Sequence, residues 1–167
     1  DIWIGTKSGG TLSKFNRKDY TFKHFEPNPN NPKSLSNDYI YSIAEEKPGH
    51  LWIGTSKGLN LLNTNTGKTL VFLKEQGKIN SLQSNDIFAL LKSGDSLYIG
   101  HSIGFDIYNT QTKTFTNHSY SEKLHSLSNN KVRALFKDSN NDIWIGTVNG
   151  LNKFNPITEE ITSYPSI

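Results

Sequence analysis

Asp142-Ile143-Trp144-Ile145-Gly146-Thr147 is the stretch that decides the fold of this chain, because close copies of it recur. The copies are Asp1-Ile2-Trp3-Ile4-Gly5-Thr6, His50-Leu51-Trp52-Ile53-Gly54-Thr55 and Ser96-Leu97-Tyr98-Ile99-Gly100-His101. From one copy to the next the aromatic position advances by 49, 46 and 46 residues. This regular spacing predicts four repeats of one structural unit.

Each repeat is predicted to contain short β-strands and no helix. In the second repeat, β-branched and aromatic residues run from Tyr39 to Ala44, and a turn separates them from Leu51 to Thr55. Two further strands, Leu59 to Leu62 and Thr69 to Leu73, complete an antiparallel meander. Because the chain opens on a second strand and ends on a fourth (Glu160 to Tyr164), we predict 15 strands.

The Trp-Ile-Gly-Thr strand is apolar at adjacent positions, so both of its faces need to be buried. Four-stranded sheets stacked around an axis cover each other in this way, and about 40–50 residues per blade is typical. The predicted fold class is therefore all-β, a β-propeller of four-stranded antiparallel blades with about 3.75 blades present. A β-sandwich is the alternative, but it does not explain the period. The predicted blade segments are 1-26, 27-73, 74-119 and 120-167.

Glycine and tryptophan recur once per repeat in most copies. The Gly after Trp-Ile is predicted to lie where neighbouring chains approach closely, and Gly10, Gly58, Gly104 and Gly150 are predicted at the bend between second and third strands. The Trp residues, at one strand position each, are predicted to pack in the core rather than to form a sugar platform.

Composition excludes several classes of protein. The 18 basic and 15 acidic residues give a formal net charge of +3, and their scattered positions argue against a nucleic-acid partner. Zero Cys excludes disulfides, thiolate nucleophiles and Cys-ligated zinc. A mean hydropathy of −0.58 and the lack of a long apolar run exclude a membrane span in this segment. A chain that starts at Asp1 and contains no Met is expected to be an excised piece of a longer protein.

Motifs that would carry catalysis or bind a metal fail on their spacing. Gly67-Lys68-Thr69 lacks the preceding Gly of a phosphate loop, and the run from Asp138 to Asp142 lacks the Gly of a calcium loop. The five His show no metal-ligand spacing, and most are predicted to lie on the surface. Glu45, Glu46 and Asp138 are predicted on outer turns, where they would not converge as a glycosidase pair. We therefore predict no catalytic residue, no metal and no cofactor.

The loops at one mouth of the propeller are predicted to carry the function. Those from Glu26 to Ser36, Lys74 to Gln83 and Ser119 to Ser128 are long and polar. Neutral sugars are bound by amides, hydroxyls and aromatic surfaces, which are the residue types found beside these loops. The alternative for each Asn and Asp is that it caps a tight turn. The candidate ligand-binding residues are Asn37, Asp38, Tyr39, Asn85, Asp86, His101, Asn129, Asn130 and Arg133.

The pattern from Leu127 to Asn155, Leu-Ser-Asn-Asn-x-Val-Arg-x-Leu-x-x-Asp-x-x-Asn-x-Asp-Ile-Trp-Ile-Gly-Thr-x-x-Gly-Leu-Asn-x-Phe-Asn, resembles the two-component regulator propeller repeat. The resemblance extends over essentially the whole chain in four copies. The third repeat departs from the pattern, with Tyr98 for Trp and His101 for Thr, so its rim is expected to differ.

This resemblance implies a ligand-sensing module of a hybrid two-component system. In that family, seven-bladed propellers form the periplasmic region of a membrane-anchored sensor histidine kinase that detects oligosaccharides and regulates polysaccharide-utilisation genes. The chain would be a non-enzymatic part of one such ring, with catalysis and phosphorelay elsewhere in the parent protein. Its expected partners are an oligosaccharide and the remaining blades of the parent chain or a second copy, as in a homodimer. The alternative function is a protein-interaction scaffold.

Overall fold

The computed structural model describes residues 1–7, 10–122 and 125–164 of the chain. These residues hold 15 strands in four antiparallel sheets, which we number in chain order. The chain divides into two compact units: the first is Asp1–Leu73 with Asn85–Ile87, and the second is Lys74–Ser84 with Phe88–Ile167. Within the described residues, no helix is long and apolar enough to span a bilayer.

The first unit contains the first and second sheets, each with its strands in sequence order. The first sheet has three strands and the second has four. The strands of the first sheet are β1 (Ile2–Gly5), β2 (Leu12–Phe15) and β3 (Phe22–Phe25). Those of the second are β4 (Ile40–Lys47), β5 (His50–Thr55), β6 (Gly58–Asn63) and β7 (Thr69–Phe72).

The third and fourth sheets have four strands each, again with sequential strands as neighbours. They belong to the second unit, except that Ile87, the first residue of β8, belongs to the first unit. The third sheet comprises β8 (Ile87–Ser93), β9 (Ser96–His101), β10 (Gly104–Asn109) and β11 (Thr114–His118). The fourth comprises β12 (Val132–Lys137), β13 (Ile143–Thr147), β14 (Gly150–Phe154) and β15 (Ile161–Tyr164). The predicted all-β meanders, three complete and one lacking its first strand, are confirmed.

Each unit has its own core between two sheets. In the first unit β1 packs on β4, and in the second β9 packs on β12. Both strands of each pair are apolar on adjacent positions, so one sheet covers the face of the next. The first core consists of Leu12, Phe25, Leu35, Ile40, Leu51, Ile53 and Leu62, and the second of Tyr98, Phe105, Leu127, Val132, Ile143, Ile145, Phe154 and Ile161.

Glycine after Trp-Ile or Tyr-Ile marks these close contacts, as predicted. A Cβ added to Gly5 would collide with the Ile40 side chain, and one added to Gly100 would lie 2.6 Å from Val132 Cγ1. At the second-to-third-strand bend, Gly58 and Gly104 have φ values of 114° and 132°, which strain other residues. Gly10 does not adopt such a conformation, because the first bend differs in length: Gly5 pairs with Leu12, whereas Gly54 pairs with Leu59.

The tryptophans pack against the sheets. Trp52 is 1% exposed and lies 5.6 Å from the ring of Phe72. Trp3 and Trp144 are half-buried beside Phe25 and Tyr164. A buried indole N–H has lost its hydrogen bonds to water, so it needs a hydrogen-bond acceptor within the protein.

Candidate functional site

Several of the predicted site residues serve the turns that precede the first strand of a sheet. Asn37 Oδ1 accepts hydrogen bonds from the backbone N of Tyr39 at 2.9 Å and from Ser56 Oγ at 2.7 Å. Asn129 Oδ1 likewise accepts from Lys131 N at 2.9 Å. These bonds correspond to the turn-capping alternative for Asn.

Other predicted residues lie in or beside these turns. Tyr39 is half-buried, with its ring 5.3 Å from that of Tyr41. The exposed Arg133 places its guanidinium 4.0 Å from the centre of the Phe88 ring. Asp38 and Asp86 are half-buried, whereas Asn85 is exposed and its carbonyl oxygen accepts a bond from Gly58 N at 2.7 Å.

In the second repeat, a network of one amide and two hydroxyls ties the loop before β4 to β6. The buried Asn60 accepts from Ser36 N at 2.9 Å through Oδ1, and its Nδ2 donates to Ser36 Oγ at 2.8 Å. Ser36 Oγ lies 3.1 Å from Thr55 Oγ1, which donates to the carbonyl of Gly58. All of these groups are neutral, and each finds a partner.

The fourth repeat builds the same network from equivalent residues. Asn152 Oδ1 accepts from Ser128 N at 2.7 Å, and Asn152 Nδ2 donates to Ser128 Oγ at 3.0 Å. Ser128 Oγ lies 3.1 Å from Thr147 Oγ1. A hydroxyl from the fourth strand, Ser163 Oγ, also donates to Asn152 Oδ1 at 2.9 Å.

The third repeat replaces this neutral network with a carboxylate and an imidazole. Asp106 stands where the second and fourth repeats have Asn, and its Oδ2 accepts from Gln83 N at 2.9 Å. Asn117 Nδ2 donates to Asp106 Oδ1 at 2.7 Å. His101 stands at the Thr position, with Nε2 3.2 Å from Asp106 Oδ2. Both side chains are about 1% exposed, so a buried acid and a buried base lie side by side.

A cavity of about 300 Å³ opens beside this pair, within the second unit. It lies where the loop before β8, the ends of β9 and β11, and the loop before β12 meet. Its polar lining includes Gln83, His101, Asp106, Asn117, His118 and Asn130. A concave site with several convergent polar groups is a candidate for ligand binding.

His118 forms one wall of the cavity and is half-buried rather than on the surface as predicted. Its ring stacks on Phe105 at 4.6 Å and contacts Phe154 edge-on at 5.3 Å. Burial lowers the pKa of His118 below its ordinary value, and the negative charges of Glu159 and Asp106 oppose this only in part. The imidazole is therefore neutral at pH 7.

The cavity brings together two of the nine predicted site residues, His101 and Asn130. Asn130 Oδ1 also accepts from Tyr120 N at 2.6 Å, so it fixes the loop as well as lining the cavity. Sequence reasoning missed Asp106 and His118. Comparing the repeats position by position could have found them, because Asp106 replaces Asn60 and Asn152, and His118 replaces Phe72 and Tyr164.

Of the acids considered for glycosidase chemistry, Glu45 and Glu46 lie in β4 rather than on a turn as predicted, because that strand continues to Lys47, and Glu46 and Asp138 have structural partners. The indole N–H of Trp52 donates to Glu46 Oε2, and that of Trp144 donates to Asp138 Oδ2 at 2.8 Å. The bond from Trp144 holds the pKa of Asp138 below its ordinary value. In the part of the chain that the structure describes, no three His, Asp or Glu side chains are grouped so as to hold a metal ion.

Comparison with known proteins identifies the repeats. Residues 34–57 and 126–149 match the two-component regulator propeller. The chain carries two-component regulator propeller repeats. Each matched segment covers the turn before the first strand, the first two strands and the two residues that follow the second strand. The four sheets are thus blades of a β-propeller, as the sequence predicted.

The repeats relate this chain to sensor proteins. It is 38% identical, over 98% of its length, to histidine kinase P4 of Formosa agariphila. It is 30% identical, with a TM-score of 0.81 over 98% of its length, to the extracellular domain assigned to the hybrid two component system BT3049 of B. thetaiotaomicron. The corresponding domain of BT4673 shares the fold at 19% identity and a TM-score of 0.66. The chain spans only 12% of the kinase and 22% of the BT3049 structure.

Proposed function

We propose that this chain is part of the extracytoplasmic sensor region of a hybrid two-component system and takes part in detecting an oligosaccharide. The observation that carries the proposal is the match to the BT3049 extracellular domain over 98% of the chain. The two-component regulator repeats and the similarity to a histidine kinase support the same function. The parent protein would be an inner-membrane histidine kinase with its propeller in the periplasm, controlling polysaccharide-utilisation genes.

In this proposal the blades bind or transmit and perform no chemistry of their own. The acids Glu46 and Asp138 are bonded to indoles, and the cavity beside His101 offers hydrogen-bonding groups that suit a neutral ligand. Signal transmission requires that the ligand prefers one arrangement of the domains, since equal affinity for two states shifts neither. Phosphoryl transfer would take place in other domains of the parent protein.

We propose further that the first and fourth sheets each have an apolar flank that is covered in the parent protein. Either further blades, completing a ring of seven, or a second copy would cover it. Ile2 and Ile4 are 47% and 39% exposed, although the equivalent Leu51 and Ile53 are buried. On the fourth sheet Leu151 is 43% exposed, whereas its counterparts in the second and third sheets are fully buried. Such apolar exposure is rare on an isolated surface.

Gly146 tests whether a further blade covers the fourth sheet. A Cβ at Gly146 would lie 3.4 Å from Ala134 Cβ, an ordinary contact, whereas one at Gly100 collides with Val132. In the full-length protein we expect Gly146→Ala to cost about 1–3 kcal/mol of stability, as overpacking does, because the next blade occupies that space. Gly100→Ala is the positive control. A neutral Gly146→Ala beside a destabilising Gly100→Ala would contradict a covering blade.

The exposed apolar flanks also favour the second candidate function, a scaffold that binds another polypeptide. Isothermal titration of the full-length protein in detergent with a panel of neutral and charged glycan fragments separates the two. Heat of binding with a glycan, together with a change in autophosphorylation rate, supports the sensor. Absence of heat with every glycan, together with a stably retained protein partner, supports the scaffold.

A further inference from the structure

We propose that the cavity of the third repeat binds one uncharged, hydroxyl-bearing ring of the ligand, such as a single neutral sugar residue. This inference rests on the proposed function and places the ligand contact in one repeat. It concerns the cavity of about 300 Å³ beside His101, Asp106 and His118.

The third repeat differs from its neighbours at the very positions that line this cavity. Where the second repeat has Ser36, Thr55 and Asn60, the third has Gln83, His101 and Asp106. On the last strand, His118 pairs with Phe105 at the position where Phe72 pairs with Leu59. These four changes are far apart in sequence, and the fold brings them to one place.

Stability alone does not account for these changes. The neutral network joins the same loop to the same strand in the second and fourth repeats, with every group satisfied. Burying a carboxylate and an imidazole costs desolvation free energy that the hydroxyls and amide avoid. Departures from a locally sufficient solution are expected at functional sites.

The two histidines present unused polar atoms at the cavity. His101 Nδ1 accepts from Ile103 N at 3.3 Å, so the ring hydrogen lies on Nε2. That Nε2 is 3.2 Å from Asp106 Oδ2 but makes no hydrogen bond, and the atom is buried. His118 Nε2 is likewise buried and unpartnered. Hydroxyl groups, which donate and accept, are the chemistry that would give each of these atoms a partner.

The charges around the cavity favour a neutral ligand. Asp106 already accepts from Gln83 N and Asn117 Nδ2, and it lies beside His101, so its charge is engaged within the protein. No Lys or Arg is among the described residues that line the cavity, which disfavours an anion. Ile103 adds an apolar side, which suits the C–H face of a sugar. The volume is at the lower end of the roughly 300–1,000 Å³ of ligand sites, enough for one ring.

Two variants that keep the fold test this site. Gln83→Ser/His101→Thr/Asp106→Asn rebuilds the network of the second repeat, and His118→Phe restores the aromatic residue found at Phe72. Thr116→Ala, on an exposed position of the same strand as His118, is the matched control. Each full-length variant is titrated with neutral mono- and disaccharides, with glucuronate and glucosamine as charged probes.

We expect both cavity variants to weaken binding of the neutral saccharide about 10- to 100-fold, the loss expected for one or two hydrogen bonds, and Thr116→Ala to leave it unchanged. Wild-type affinity in both variants would overturn the cavity assignment while leaving the proposed function intact. Tighter binding of a charged probe would overturn the neutral-ring assignment. Absence of heat with every saccharide in the wild type would overturn the proposed function, and this inference with it.

A measurement on the wild-type protein removes the dependence on variants. Hydrogen–deuterium exchange is recorded with and without the saccharide that gives heat. We expect slower exchange in peptides covering residues 101–106 and 117–119, because the ligand would bond to the polar groups of the cavity and exclude water from it. Slower exchange confined to other blades would contradict the proposal, whatever the variants do.

Discussion

The second and third repeats join the same loop to the same strand with different chemistry. In the second, Asn60 and two hydroxyls satisfy each other, and the aromatic Phe72 lies on the last strand. In the third, Asp106 and His101 take over, Asn117 is recruited from the last strand, and a cavity opens against His118. The same junction between loop and strand can therefore be purely structural in one blade and leave polar groups available for ligand binding in another.

The fourth repeat makes this difference informative. It carries the same Ser, Thr and Asn as the second, with bond lengths that agree within a few tenths of an ångström. The neutral network thus recurs in the second and fourth repeats, whereas the third repeat places a carboxylate and an imidazole at the same junction. A neutral network loses little when it is rearranged, whereas a buried carboxylate depends on all its donors.

Asp106→Ala is expected to have the largest effect. It leaves Gln83 N without its acceptor, removes one of the two acceptors of Asn117 Nδ2, and leaves the buried His101 without its negative neighbour. Removing a buried, charged acceptor in this way costs more than removing a neutral one, about 3 kcal/mol or more. Amide hydrogen exchange in β10 of the full-length protein measures the loss of local stability. A cost no greater than that of an exposed substitution such as Thr116→Ala would show that the pair contributes nothing.

Asn60→Ala and Asn152→Ala are expected to cost less, about 1–3 kcal/mol each, as loss of a neutral buried partner does. Asn152→Ala should be the more costly of the two, because Asn152 Oδ1 also accepts from Ser163 Oγ, a bond without a counterpart at Asn60. Exchange rates in β6 and β14 provide the measurement. If either variant cost as much as Asp106→Ala, the distinction between neutral and charged networks would fail.

The sequence predicted the fold because its determinants are local and repeated. The period of the Trp-Ile-Gly-Thr strand and its two apolar faces were sufficient to predict the meanders and their packing. Gly10 lies between β1 and β2, at the bend where it was predicted, but two additional residues in that bend shift its alignment with Gly58. That shift becomes visible only when strand pairing is known.

The candidate site was predictable only in part, because its residues come from four separate segments. His101 stood out as a departure from the repeat, and Asn130 was among the polar residues beside β12. His118 was predicted to be a surface residue, since the sequence alone does not reveal that its ring stacks on Phe105. Asn37 and Asn129 were predicted as ligand-binding residues because of their residue type. In the structure their side-chain oxygens accept hydrogen bonds from backbone N–H groups of the turns.

The triple variant Gln83→Ser/His101→Thr/Asp106→Asn tests whether the two networks are interchangeable units. Alone, His101→Thr keeps an acceptor for Ile103 N, as Thr55 Oγ1 accepts from Lys57 N, but it leaves Asp106 Oδ2 without its imidazole neighbour, so we expect a loss. Together, the three changes recreate hydroxyl and amide groups that satisfy each other in the second repeat. We expect the triple variant to lie within about 1 kcal/mol of wild type, a coupling of the size seen for contacting residues. If the triple variant instead lost as much stability as the single variants added together, measured by hydrogen exchange in β9 and β10, the three changes would not compensate one another.

The smallest expected effect is the pH dependence that His118 confers on the third sheet. Its folded pKa is lowered, first by burial, while Glu159 and Asp106 oppose the shift. Below the ordinary value of 6.5 the unfolded chain therefore binds a proton that the folded chain resists, so this contribution to stability is present above pH 6.5 and declines as the pH falls below it. His118→Phe should flatten that decline, whereas the exposed His125→Phe should not. Thermal midpoints of the three proteins between pH 5 and pH 8 decide the matter. An unchanged slope in His118→Phe would mean that the imidazole is solvated, and the second and third repeats would then respond to acid alike.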